Sequence, residues 1–163
     1  MLAELLTALQ NLEPVAALRT SRWVYPLVNT GHIAGIALLV GAIVPLDLRL
    51  LGAWRSVPLD LLSRVLLPIA IAGLCLAAAT GFMMFAVSAT KYAGLTLFSV
   101  KLTLIAAAVA NALLLRLSPA WTLARLPDLP PEFPPGRLRL AAAMSIGLWL
   151  SVLLCGRFLA YIA

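Results

Sequence analysis

The sequence predicts an all-α integral membrane four-helix bundle, preceded by a short amphipathic helix lying in the membrane interface. Three observations predict it. The chain of 163 residues is 63% hydrophobic and 11% charged, against roughly half and a quarter in soluble domains. Its apolar residues gather into four runs of the ~20 residues needed to cross a bilayer. Charges and prolines collect between those runs. A water-soluble globule of this size cannot hide so much apolar surface. The composition therefore excludes a disordered chain and a secreted disulfide scaffold, and it argues against a soluble enzyme.

At the N-terminus, Leu2, Leu5, Leu6, Leu9 and Leu12 recur at helical spacing, with Glu4, Thr7, Gln10 and Asn11 opposite them. This predicts an interfacial helix ending before Pro14. Glu4 stands where a cleavable leader would carry positive charge, so no targeting segment is expected. The first span is read over 23–51, bent at Pro45 and stopped by Gly52. The second, over 58–87, starts near Pro58 with Asp60 in its first turn and kinks at Pro68. The third covers 95–115 and the fourth 138–162. Between the last two, 117–137 holds six of the eleven prolines (Pro119, Pro127, Pro130, Pro131, Pro134, Pro135) and is expected to be an extended loop. All 163 residues form one transmembrane domain on this reading.

The formal charge of +6 comes from twelve Lys and Arg against six acids. The basic residues mark the ends of apolar runs and do not mass on one stripe, so nucleic acid is not an expected partner; the bilayer is. Seven of them (Arg49, Arg55, Arg64, Arg116, Arg125, Arg137, Arg139) fall in the first and third loops, against Arg19, Arg22, Lys91, Lys101 and Arg157 on the other side. That bias places both termini outside, on the periplasmic side of a bacterial inner membrane. Trp23, Tyr25, Tyr92 and Tyr161 would belt the outer interface, and Trp54 and Trp121 the inner one. Cys75 and Cys155 lie inside apolar runs and read as small hydrophobes.

Small residues recur four apart at Gly31 and Gly35, at Gly73, Ala77 and Gly81, and at Ala108 and Ala112. This pattern permits close backbone approach and predicts a compact bundle. The same stripes could serve a homodimer or a larger membrane complex.

Polar groups inside spans are costly in hydrocarbon and mark where chemistry is sought. His32, the sole histidine, lies roughly 14 Å below Trp23 at ~1.5 Å per residue. Thr80, Met83, Met84, Lys101 and Arg157 fall at similar depth in the outer half. Two cations and an imidazole there would suit a polar or anionic ligand such as haem propionates or a quinone headgroup; His32, Thr80, Lys101 and Arg157 are the expected ligand-binding residues. His32 with Met83 or Met84 could ligate haem iron or copper. The competing reading makes His32 a packing residue bonded to Asn29 or a neighbouring helix. It makes Lys101 and Arg157 snorkelling cations and the methionines apolar filler. Asp47 with Arg49, or Arg49 with Asp60, is expected to form interfacial ion pairs at the cytoplasmic end. No catalytic motif is present: no Ser/His/Asp set, no HExxH and no phosphate-cradling or dinucleotide glycine loop.

The combined pattern resembles a bacterial family of small four-helix membrane proteins, a domain of unknown function, loosely similar to the cytochrome b561 and copper-resistance membrane bundles. The residues that carry it are His32-Ile33-Ala34-Gly35, Gly41 and Asp47-Leu48-Arg49-Leu50-Leu51-Gly52, then Pro68, Gly73 and Thr80-Gly81. Phe98, Lys101, Asn111, Gly156-Arg157 and Ala160-Tyr161 follow. The resemblance implies the four-helix fold and an inner-membrane address, and it brings no activity. Its distant part raises haem b or copper as a cofactor, although those haem bundles use several histidines where this chain has one. The functional expectation is a non-enzymatic bundle that binds haem b, copper or a quinone in its outer half. The alternative is a structural or assembly subunit without a ligand.

Overall fold

The computed structural model describes residues 1–126 and 135–162. Among them there is no strand, and the helices run α1 (Leu2–Gln10), α2 (Glu13–Thr20), α3 (Val24–Leu51), α4 (Leu59–Val87), α5 (Ala89–Ala93), α6 (Thr96–Leu117), α7 (Pro119–Ala124) and α8 (Gly136–Ile162). Four of these, α3, α4, α6 and α8, are long and apolar enough to cross a membrane. In hydrocarbon a helix satisfies its own backbone groups, which is why length and apolarity suffice to locate these segments. The chain is an all-helical, multi-pass membrane protein.

Pro45 and Pro68 lie inside continuous helices. Gly52 ends α3 in the left-handed region at φ 114°, where the absence of Cβ removes the steric penalty. Its N–H and that of Ala53 close on Leu48 O at 3.1 and 2.9 Å.

Two regions hold more helix than the sequence expectation. Helix α1 ends at Gln10, before Pro14 as expected, but helix resumes there. That proline occupies the first turn of a second helix, α2, a position where its missing N–H costs nothing. The segment 117–137 is not wholly extended, since Ser118 caps α7 by accepting from Trp121 N–H at 3.2 Å. Pro119 follows at the first helical position. Trp121, expected at the interface, is only 6% exposed and packs in a cluster with Leu46, Leu50, Leu59 and Leu138. Pro127, Pro130, Pro131 and Pro134 of the same segment lie outside the described residues.

The spanning helices alternate in direction. We call the end where α3 and α6 begin the terminal end, and the opposite one the α7 end. Helix α3 packs along α4 and also against α8, while α8 packs along α6; α4 and α6 lie farther apart, with few close backbone approaches between them. The expected compact bundle is thus open on one side. At the terminal end the opening is bridged by Phe85 of α4 stacked on Phe98 of α6, with ring centroids 5.1 Å apart. At the other end it is underlain by α7, and Arg125, the residue after it, donates to Asp60 Oδ1 of α4 from Nη2 at 2.6 Å and from Nε at 2.9 Å.

The contact between α3 and α4 rests on glycine. A Cβ at Gly35 would stand 2.6 Å from Ala77 N and 2.9 Å from Gly73 O; one at Gly73 would stand 2.5 Å from Leu39 N and 2.8 Å from Gly35 O. The neighbouring atoms are backbone, so the helices touch main chain to main chain. Of the small residues that could have served a second copy, Gly35, Gly73 and Ala77 make this contact within one chain.

Candidate functional site

The polar residues expected to share one outer-half site do not do so. His32 of α3 reaches across to α4, with Nδ1 2.9 Å from Ala77 O and 3.2 Å from Thr80 Oγ1. A carbonyl oxygen can only accept, and the Thr80 hydroxyl donates its one hydrogen to Leu76 O at 2.6 Å. Both neighbours are therefore acceptors towards the ring. The network assigns the proton to Nδ1 and leaves the lone pair on Nε2. The imidazole is also lodged over Gly81, where a Cβ would be 2.9 Å from its Cε1. Thus His32, Thr80 and Gly81 form one interhelical clamp.

Lys101 belongs to the other helix pair. Its Nζ lies against Gly156 of α8, 3.5 Å from where a Cβ would be, within electrostatic range of Cys155 and of the His32 ring. Arg157 does not join them. It is exposed, donates from Nη2 to Tyr161 Oη at 2.8 Å, and holds its guanidinium 4.8 Å from that ring's centroid. Tyr161, itself 72% exposed, completes an interfacial cation–π pair on the surface of α8. Met83 is exposed and Met84 partly buried. Among the described residues no three His, Cys, Asp or Glu side chains come together.

The ion pairs at the α7 end also differ from expectation. Asp60 takes Arg64, at 2.7 Å, and Arg125. Arg49 instead donates to the carbonyls of Val57 and Arg55 at 2.8 and 3.2 Å, pinning the α3–α4 loop. Asp47 forms no salt bridge among the described residues. It is 5% exposed, and its Oδ2 has no hydrogen-bond partner.

Asp47 lines a cavity of about 220 Å³ on the side where α4 and α6 stand apart. The walls are Leu39, Ile43, Leu46 and Leu50 of α3, Leu67 to Leu74 of α4 and Val109 to Arg116 of α6, with Trp121 of α7 and Trp149 of α8. Trp149 is 4% exposed, and its Nε1 likewise has no partner. Ser145, one turn before Trp149, is buried beside the Asp47 carboxyl. An unpaired buried donor or acceptor costs about 1–3 kcal/mol; Asp47 Oδ2 and Trp149 Nε1 are both occluded, and it is other atoms of these two residues that line the cavity. The wall residues Ile71, Ala112 and Leu113 are exposed, which places the mouth on the lipid-facing side.

Sequence reasoning missed this site. Asp47 stands one turn before the end of α3, where an acid reads as interfacial. Trp149 is in the middle of a span, away from the interfacial belts that tryptophan favours, and that displacement is the signal that could have found it.

No protein-family model, curated protein or solved structure matches the chain.

Proposed function

We propose that this protein is a non-enzymatic binder of a lipophilic molecule with a polar headgroup, admitted from the bilayer between α4 and α6. The observation that carries the reading is the cavity itself: apolar walls, a mouth facing lipid, and two nearly buried residues with polar groups, Asp47 and Trp149, among those that line it. Ligand sites of this kind are concave and mostly apolar, with a few polar groups that fix orientation. Of the ligands the sequence raised, a quinone fits these features. A single aromatic ring enters an apolar cavity of about 150 Å³, so 220 Å³ takes a substituted ring and is too small for a tetrapyrrole. Haem b and copper gain no support: His32 keeps a free lone pair on Nε2, but no three His, Cys, Asp or Glu side chains gather among the described residues. The binding residues move accordingly from His32, Thr80, Lys101 and Arg157 to Asp47 and Trp149.

The address that goes with this function is a bacterial inner membrane with both termini on the periplasmic side, supported by the bias of Arg and Lys between the loops. Membership of the four-helix family of unknown function rests on the residue pattern alone. A second reading, a structural or assembly subunit, is favoured by the use of His32, Thr80 and Gly81 as a clamp.

Titration of a short-chain ubiquinone into lipid nanodiscs holding the protein separates the two. Saturable quenching of tryptophan fluorescence, abolished by Ala112→Phe at the mouth, is expected. Unsaturable quenching, equal in both proteins, would leave the structural reading.

A further inference from the structure

The cavity is drawn out along the helices. Its wall residues run from Leu39 to Leu50 on α3, from Leu67 to Leu74 on α4 and from Val109 to Arg116 on α6. At ~1.5 Å per residue those stretches measure about 16 Å on α3 and about 10 Å on each of the others. A volume of about 220 Å³ spread over that length is narrow, the shape of a chain. The surface it presents is almost wholly apolar, and Asp47 Oδ2 and Trp149 Nε1, both occluded, add nothing polar to it. Such walls receive hydrocarbon and offer a headgroup little to bond.

A cation stands at the α7 end of this cavity. Arg116, in the last turn of α6, is the one basic residue on the wall among the described residues. It is exposed and forms no ion pair among the described residues. Its neighbours at that end are engaged: Arg64 and Arg125 on Asp60, and Arg49 on the carbonyls of Val57 and Arg55. A side chain that contributes to the wall and is also exposed stands at the rim, and its long stem lets the guanidinium reach headgroup level. The planar fork of that group matches phosphate oxygens. The seven arginines of the first and third loops meet only Asp47 and Asp60 among the described residues, a surplus that attracts anionic lipid.

We propose that the occupant is an anionic phospholipid of the α7-side leaflet, with one acyl chain lying in the cavity between α4 and α6 and its phosphate paired with Arg116. The proposal rests on the lipophilic-ligand reading above and names its ligand class. The apolar wall accepts the chain, and Arg116 selects the headgroup. A zwitterionic lipid carries its own cation beside the phosphate and gains less from Arg116.

Brominated acyl chains quench indole on contact, and Trp121 and Trp149 line the cavity. The exposed Trp23 and Trp54 are replaced in the full-length protein (Trp23→Phe, Trp54→Phe), so that only the wall tryptophans report. Bilayers of unbrominated phosphatidylcholine receive increasing mole fractions of brominated phosphatidylglycerol, or of brominated phosphatidylcholine with the same chains. The relative binding constant read from the quenching curves should favour phosphatidylglycerol about fivefold, the scale of one cation beside an anionic lipid. Arg116→Gln should remove that preference and leave quenching by phosphatidylcholine unchanged, while Arg116→Lys, which keeps the charge, should retain it. Arg137→Gln removes an exposed cation of the same end that does not line the cavity, and should leave the preference in place. Ala112→Phe at the mouth should lower quenching by both lipids. Equal quenching by the two lipids, or a preference lost equally in Arg116→Gln and Arg137→Gln, would overturn the headgroup assignment while leaving an acyl-chain site. Quenching unaltered by Ala112→Phe would sink the lipophilic-ligand reading as well.

Discussion

A single methyl group at Gly73 should separate α3 from α4. In Gly73→Ala the new Cβ would stand 2.5 Å from Leu39 N and 2.8 Å from Gly35 O. Carbon seldom approaches such atoms closer than ~3.4 Å, and main-chain atoms have no rotamer to relieve the clash. The helices must therefore part by roughly 1 Å. Overpacking of this kind costs about 1–3 kcal/mol. The shift also strains the bond from His32 Nδ1 to Ala77 O, one turn away, and interhelical hydrogen bonds in membranes average ~0.6 kcal/mol. Against this, Ala stabilises a helix interior by about 0.8–1 kcal/mol relative to Gly in aqueous hosts. The net destabilisation comes to ~2 kcal/mol, about a thirtyfold change in the folding equilibrium. The matched control is Gly41→Ala, on the same helix pair, where a Cβ meets nothing within 4 Å. That variant should be neutral or slightly stabilised. Reversible unfolding by increasing SDS mole fraction in mixed micelles, followed by tryptophan fluorescence, measures both. If Gly73→Ala and Gly41→Ala fall within about 0.5 kcal/mol of each other, a span below the error-free difference expected from overpacking alone, the main-chain contact does not hold α3 to α4 and the reasoning is wrong.

Two further outcomes follow from the same geometry. His32→Ala should lower stability in that assay by at least about 0.6 kcal/mol, the average worth of one interhelical hydrogen bond in a membrane. It should leave quinone binding intact, because the clamp is separate from the cavity; loss of binding in His32→Ala would return the ligand to the clamp. Reporter fusions at the C-terminus should be active with alkaline phosphatase, which works outside the cytoplasm, and silent with a cytoplasmic fluorophore; the reverse pattern would invert the orientation.

How far each residue's role was legible in the sequence depended on how local its cause is. Gly52 as a helix stop follows from backbone sterics at one position, and it ends α3 as expected. The small-residue spacing at Gly35 and Gly73 signals close approach, and close approach is found. His32 could be read either as a ligand or as a packing residue, because an imidazole satisfies both; only the positions of Ala77 O and Thr80 Oγ1 decide its tautomer. Arg157 at the right depth carried no information about the face it occupies, and Tyr161 four residues on draws it to the surface of its own helix. For Asp47 the local cue misled. An acid near a helix end beside Arg49 suggests an ion pair, but Arg49 turns to the loop carbonyls and Asp60 takes its cations from α4 and α7.

What the amino-acid sequence determined by itself is the set of transmembrane helices. A bilayer supplies no hydrogen bonds, so any apolar stretch of sufficient length must form its own backbone bonds in place. That cause acts within one segment. The pairing of the segments depends instead on which surfaces fit when brought together, a property of two helices at once. Tertiary structure alone decided that α3 joins α4 and α8, and that α4 and α6 stand apart. Through that opening Asp47 and Trp149, about a hundred residues apart in the chain, line one cavity.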